Sequence, residues 1–146
     1  MHTYCIRTIG NQSRPKIFDL EIKKPDLLYT EVYEINERII LIKSEDDVTG
    51  HNYDPSKFVQ STSNELLYIE QNIDEQEIIN ILHNIQLKNI KTIAICLLHS
   101  YMYPSHEIQI KKIAVAHGGF ELVTISSDLS PMIRMVPRGR CSVYRV

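Results

Sequence analysis

Two short polar segments hold the side chains with the most chemical capacity. His99-Ser100-Tyr101 follows the apolar run 92–98, and Ser126-Ser127-Asp128 follows the apolar run 120–125. If both runs are strands of one sheet and lie side by side, His99, Ser100, Ser127 and Asp128 share a rim beyond their carboxyl ends. Open α/β sheets bind their ligands at that rim. A histidine beside a serine and an aspartate is the constellation of a nucleophile, its base and the group that orients the base. No GxSxG elbow presents such a serine. The favoured reading is that Ser100 and Ser127 bond loop backbone while His99 packs or caps; a ligand-facing role comes second.

Other motifs fall away on spacing. His106-Glu107 is half of an HExxH helix, but position 110 is Ile110, so the second zinc-binding histidine is missing. His83 and His117 have no spaced partner and read as solvated or half-buried. Cys5, Cys96 and Cys141 are odd in number and form no CxxC, which predicts reduced thiols, with Cys96 a small buried hydrophobe. Neither GxGxxG nor GxxxxGK[ST] occurs, so the usual nucleotide cradles are absent. Beyond Ser130 the charged residues are Arg134, Arg138, Arg140 and Arg145. This strip reads as a solvated tail in preference to a phosphate- or partner-binding surface. Residues 130–140, with Pro131 and Pro137, read as an irregular connector anchored by Met132, Ile133 and Met135.

These groups need elements to position them. Phe18, Leu20 and Ile22 alternate with charged residues at the period of a half-buried strand. Val32 and residues 35–42 predict a bent strand or a hairpin through Asn36-Glu37. The span 44–63 is poor in hydrophobic anchors and reads as a flexible loop. Residues 66–69 predict a strand. Asp74 and Glu77 form a capping box, and Ile78, Ile81, Leu82 and Ile85 then repeat at i, i+3, i+4 and i+7, which predicts a helix over 75–87. Residues 92–98 read as a strand buried on both sides. Pro104 suits a first helical turn, Glu107 suits the positive end of that helix, and Gly118 or Gly119 ends it. Strand, helix and strand over 92–125 make a βαβ unit with a right-handed crossover. The fold class expected is α/β, with a small parallel or mixed sheet and this C-terminal βαβ unit.

Composition bounds the partners. The chain has 146 residues, 43% of them hydrophobic and 23% charged, which suits a single folded domain over 1–146. Lysine and arginine number 16 against 18 aspartates and glutamates, a net charge of −2. So near-neutral a balance gives no long-range attraction to nucleic acid or to an anionic membrane. No apolar run approaches the length of a membrane span, and the first residues lack the apolar stretch of a signal peptide.

Several segments taken together resemble the hydantoinase A / oxoprolinase family, on its ATP-dependent 5-oxoprolinase branch. They are Ile9-Gly10-Asn11-Gln12-Ser13-Arg14-Pro15 with Ile17-Phe18-Asp19-Leu20, Glu34 through Glu37-Arg38, and Leu97-Leu98-His99-Ser100-Tyr101. Pro104 with His106-Glu107, Ser126-Ser127, Pro131-Met132-Ile133 and Val136-Pro137-Arg138-Gly139 complete the set. The resemblance covers the later part of the family's N-terminal region. It implies part of an actin-like/sugar-kinase-like ATPase domain. It also implies an enzyme that opens the 5-oxoproline lactam to glutamate at the expense of ATP, with Mg²⁺ and K⁺, in the cytoplasm. The family's phosphate-binding motif would precede this sequence and its larger domains would follow it. Arg140 also stands where the family continues with histidine. The expectation is therefore a fragment that binds no cofactor alone and is not active alone. Its partners would be the remainder of an oxoprolinase or hydantoinase, or a second copy. The alternatives are a non-catalytic assembly module, an inactive remnant, and a small hydrolase acting at the strand-end rim. His99, Ser100, Ser127 and Arg138 are assigned pocket- or loop-organising positions, with no bond-making role and no metal ligand among them.

Overall fold

The computed structural model describes residues 29–42 and 53–144. The strand expected around Phe18, the segment 9–20, Cys5 and residues 44–52 of the expected loop lie outside the described residues. Two small sheets organise the rest. Strands β1 (Arg38–Leu41), β2 (Phe58–Gln60) and β3 (Leu66–Gln71) form an antiparallel sheet in the order β1-β3-β2. Strands β4 (Thr92–Ile95) and β5 (Leu122–Ile125) form a parallel pair, in register from Thr92 opposite Leu122 to Ile95 opposite Ile125. The α/β class holds, but the sheet is split in two, one part antiparallel and the other parallel.

Helix α1 spans Glu75–Leu87, the predicted range, and buries Ile78, Leu82 and Ile85. Each such side chain taken from water contributes about 1.5–3 kcal/mol. Asp74 caps the helix by accepting from the Gln76 amide at 2.9 Å. The reciprocal arm of the expected box is diverted. Glu77 instead accepts from the side-chain and backbone nitrogens of Asn36, at 3.0 and 3.3 Å. That contact explains why no hairpin forms through Asn36-Glu37: Asn36 is tied to α1, and β1 begins only at Arg38.

Helix α2 (Ser105–His117) lies between β4 and β5 in sequence and completes the βαβ unit. Pro104 occupies its N-cap, and Gly118 ends it at a φ of 76°. Gly119 follows at 82°, a backbone conformation that favours glycine; an added Cβ would also sit 2.7 Å from the Gln86 side-chain nitrogen, which would have to swing away. Ile110 and Ala114 from α2 join the α1 face, Ile93, Ile95, Leu97 and Ile125 in the larger core.

Three expectations change. The run 92–98 stops being a strand after Ile95: Cys96 and Leu97 stay buried, but the chain turns and Leu98 is 55% exposed. Of the supposed loop 44–63, the described part holds a 3₁₀ turn at Pro55–Lys57 and strand β2. The supposed connector 130–140 runs into helix α4 (Met135–Tyr144), preceded by the short helix α3 (Ser126–Leu129). Pro137 does not break α4, because it stands in the first turn, where backbone N–H groups have no intrahelical acceptor.

The turn after β4 links the two sheets. Met102 from this turn packs with Ile39 and Leu67 in a second, smaller core, with Tyr101 and Tyr103 alongside. The segment predicted to carry chemistry is therefore held between two cores.

Candidate functional site at the strand ends

Glu107 organises the carboxyl ends of β4 and β5. Its side chain is fully buried. One oxygen accepts from the Leu97 amide at 2.8 Å and from Ser126 Oγ at 2.6 Å. The other accepts from the amide and the hydroxyl of Ser127, at 2.9 and 2.8 Å. Four donors from two strand exits thus converge on one carboxylate of α2, which compensates its desolvation without a direct cation. Ser100 Oγ lies 3.1 Å from the Leu97 carbonyl and 3.2 Å from Ser126 Oγ, so its single proton is shared inside the same knot.

Arg138 closes the knot from the other side. It is fully buried on α4, against the expectation of a solvated basic tail; Arg140 is also buried. The segment read as a connector is thus a helix, which carries Arg140 in its second turn and, at the end of its first, Arg138. Its guanidinium donates to the Met132 carbonyl at 3.0 Å, to the Leu98 carbonyl at 3.0 Å and to the Leu97 carbonyl. It also lies 5.7 Å from the centre of the Tyr101 ring. Leu97 is therefore gripped at both ends, its N–H by the Glu107 anion and its C=O by the Arg138 cation. Opposite charges separated by one residue of backbone fix where β4 ends and the turn begins. Cys96, beside them, has its thiol pKa pushed up, chiefly by burial, with the Glu107 charge adding and Ser126 and Arg138 opposing.

His99 stands apart from this knot. It is half-buried, and its Nδ1 is closed off without a hydrogen-bond partner. Burial pushes its pKa down, the Arg138 charge adds to that, and Glu37 opposes it. Asp128 points outward, 3.4 Å from Lys111 Nζ. The structure thus brings Ser100 and Ser127 together through Glu107 and Ser126, supports them with Arg138, and joins neither His99 nor Asp128 to them. Nucleophile, base and orienter do not meet. His106 is buried and pairs through Nδ1 with Glu37 Oε1 at 2.9 Å, with Tyr103 edge-on to its ring. Among the described residues no group of three or more His, Cys, Asp or Glu is placed to hold a metal ion. With every Glu107 oxygen committed to protein donors, these residues do not fit Mg²⁺, and no catalytic step is derived through it.

Sequence reasoning missed Glu107 and Ser126. A signal was present: Glu107, Ile110 and Ala114 fall at i, i+3 and i+7, which puts the carboxylate on the buried face of α2.

Residues 6–118 match the family described as the hydantoinase/oxoprolinase N-terminal region. The chain is 41% identical over 131 residues to 5-oxoprolinase 1 of Arabidopsis thaliana, covering 90% of this chain and 10% of that protein. It is 39% identical over 138 residues to 5-oxoprolinase of Saccharomyces cerevisiae and 36% identical over 135 residues to 5-oxoprolinase of Dictyostelium discoideum, in both cases covering 92% of this chain and 11% of the relative. The chain therefore spans about a tenth of the length of the curated relatives it matches. No solved structure matches it. Among the described residues no helix is long and apolar enough to cross a membrane.

Proposed function

The chain belongs to the hydantoinase/oxoprolinase family as a piece of its N-terminal region, and from that premise we propose that it is a structural part of a 5-oxoprolinase-type enzyme. Such an enzyme would open 5-oxo-L-proline to L-glutamate with ATP hydrolysis, in the cytosol, within an actin-like/sugar-kinase-like ATPase architecture. On this reading ATP, Mg²⁺ and K⁺ are held outside the described residues, and the chain alone does not turn over. The observation that supports it most is the saturation of Glu107. A carboxylate that already accepts four internal hydrogen bonds holds strand ends in place; it has no capacity left as a base. The test is ADP release by the purified chain with and without 5-oxoproline. No substrate-stimulated release is expected from the chain alone. Turnover is expected when the separately produced remainder of such an enzyme is added. Stimulated release by the chain alone would overturn the reading.

A second reading, a non-catalytic assembly module, rests on one surface. Leu98 and Met132 both give their carbonyls to Arg138 and so lie together. They are 55% and 41% exposed, and the neighbouring Ile133 is 74% exposed. On this reading the patch docks the remainder of the enzyme or a second copy. Ile133→Asp should then abolish association measured by sedimentation while leaving the fold intact; unchanged association would discard it.

A further inference from the structure

A second concave surface lies on the other side of the β4 exit turn. It is an open groove of about 650 Å³ between β1 and that turn, lined by Glu37, Arg38, Leu98, His99 and Tyr101, with Ile39 and its strand neighbours as an apolar wall. That volume is within the range of small-molecule sites.

The polar groups here have spare capacity, unlike those of the Glu107 knot. His99 Nδ1 is closed off without a partner. An unsatisfied buried acceptor is less costly than an unsatisfied buried N–H, which favours the tautomer with the proton on Nε2. Nε2 is neither closed off nor engaged by any described residue, so its N–H has capacity to donate where His99 lines the groove. Glu37 uses Oε1 for His106, and its Oε2 has no partner among the described residues and is not closed off. The groove therefore offers a donor, an acceptor and the Tyr101 ring.

The groove carries one carboxylate and one guanidinium. Glu37 Oε1 meets His106 Nδ1 at 2.9 Å, and Arg38 Nε faces Glu70 at 2.7 Å. An anion would meet Glu37 and a cation would meet Arg38. A hydroxyl meets neither objection, because one oxygen can accept from the imidazole and donate to the carboxylate.

We propose that this groove is a binding site for a neutral, hydroxyl-bearing small molecule of monosaccharide size, which accepts from His99 Nε2, donates to Glu37 Oε2 and lies against Tyr101. The inference goes beyond the oxoprolinase reading and does not depend on it. A free sugar and the ribose of a nucleoside share this chemistry.

The experiment is a titration of the isotope-labelled full chain with D-ribose, D-glucose and adenosine, following the His99 and Tyr101 ring resonances by NMR. Inorganic phosphate and acetate serve as charged probes. At least one neutral ligand should give saturable shifts confined to groove residues, in the millimolar range. Adenosine ahead of D-ribose would assign the nucleoside; a free sugar equal or ahead would assign the sugar. Glu37→Gln, which keeps an acceptor for His106, should weaken binding about tenfold, and His99→Phe should abolish it. Should His99→Phe fail to fold, His99→Leu gives the same readout. The site is refuted by the absence of groove shifts with all three neutral ligands. It is equally refuted by a stronger response to phosphate or acetate, or by shifts that survive loss of the imidazole in a folded variant.

Discussion

The two faces of the β4 exit turn use similar residue types to opposite ends. On the knot side, Glu107 and Arg138 are fully buried; every Glu107 oxygen has its donors, and three carbonyls are taken by Arg138. On the groove side, His99 and Glu37 are partly covered and each keeps one atom uncommitted. A carboxylate surrounded by donors is a structural anchor, whereas a carboxylate with an oxygen to spare can recognise something. The same side chain therefore differs in role through its neighbours and not through its type.

The sharpest way to break that contrast is to remove the anchor. Glu107→Ala leaves the donors of Leu97, Ser126 and Ser127 buried without an acceptor and Arg138 without its nearby anion. We expect a loss of about 3–5 kcal/mol, read by urea denaturation. Against the marginal stability of a domain this size, that can prevent folding altogether. Glu107→Gln keeps one acceptor oxygen and should cost less than Glu107→Ala. A loss in Glu107→Ala below about 1 kcal/mol would mean that the knot does not hold the strand ends.

Next in size is Arg138→Met, which fills similar volume but frees the carbonyls of Leu97, Leu98 and Met132. The expected cost is about 2–4 kcal/mol. Arg138→Lys should recover only part of it, since an ammonium cannot reproduce the planar fork that spans three carbonyls. A double-mutant cycle with Glu107→Gln should show coupling, because both charges act on Leu97. Strict additivity would separate α4 from the strand exits. By comparison, Asp74→Ala removes a helix cap far from the knot and should cost about 1 kcal/mol by the same measurement.

These differences explain what could be read from the sequence. Helix α1 was legible because its stability is local: a cap at Asp74 and an apolar face at helical spacing specify it without reference to anything distant. The βαβ order was legible for the same reason. Helix α4 was not, because Pro131 and Pro137 look like breakers until one knows that the first precedes the helix and the second stands in its first turn. Arg138 and Arg140 were read as solvated because burial of an arginine depends on acceptors from other parts of the chain, here carbonyls about forty residues away. Glu107 was assigned to a helix dipole, although its place on the apolar face of α2 carried the clue. The pairing of Glu37 with His106 spans sixty-nine residues and leaves no local pattern.

The smallest expected effect is the most direct probe of the groove side. Burial holds the His99 pKa below its ordinary value, with Arg138 adding and Glu37 opposing. As pH falls, the unfolded chain takes up this proton first. The linked contribution is therefore fully present above the ordinary imidazole pKa of about 6.5 and is lost as pH falls through the lower folded-state value. Stability measured from pH 7.5 downward should show this decline in the wild-type chain. His99→Asn should flatten that part of the profile without changing the plateau above it by more than about 1 kcal/mol. Glu37→Gln should steepen it, because the one carboxylate that favours the charged imidazole is gone. A Glu37→Gln profile shallower than wild type would reverse the assigned sign. It would mean that His99 is held by the anion of Glu37 and not by exclusion from water, and the contrast between the two faces of the turn would fail.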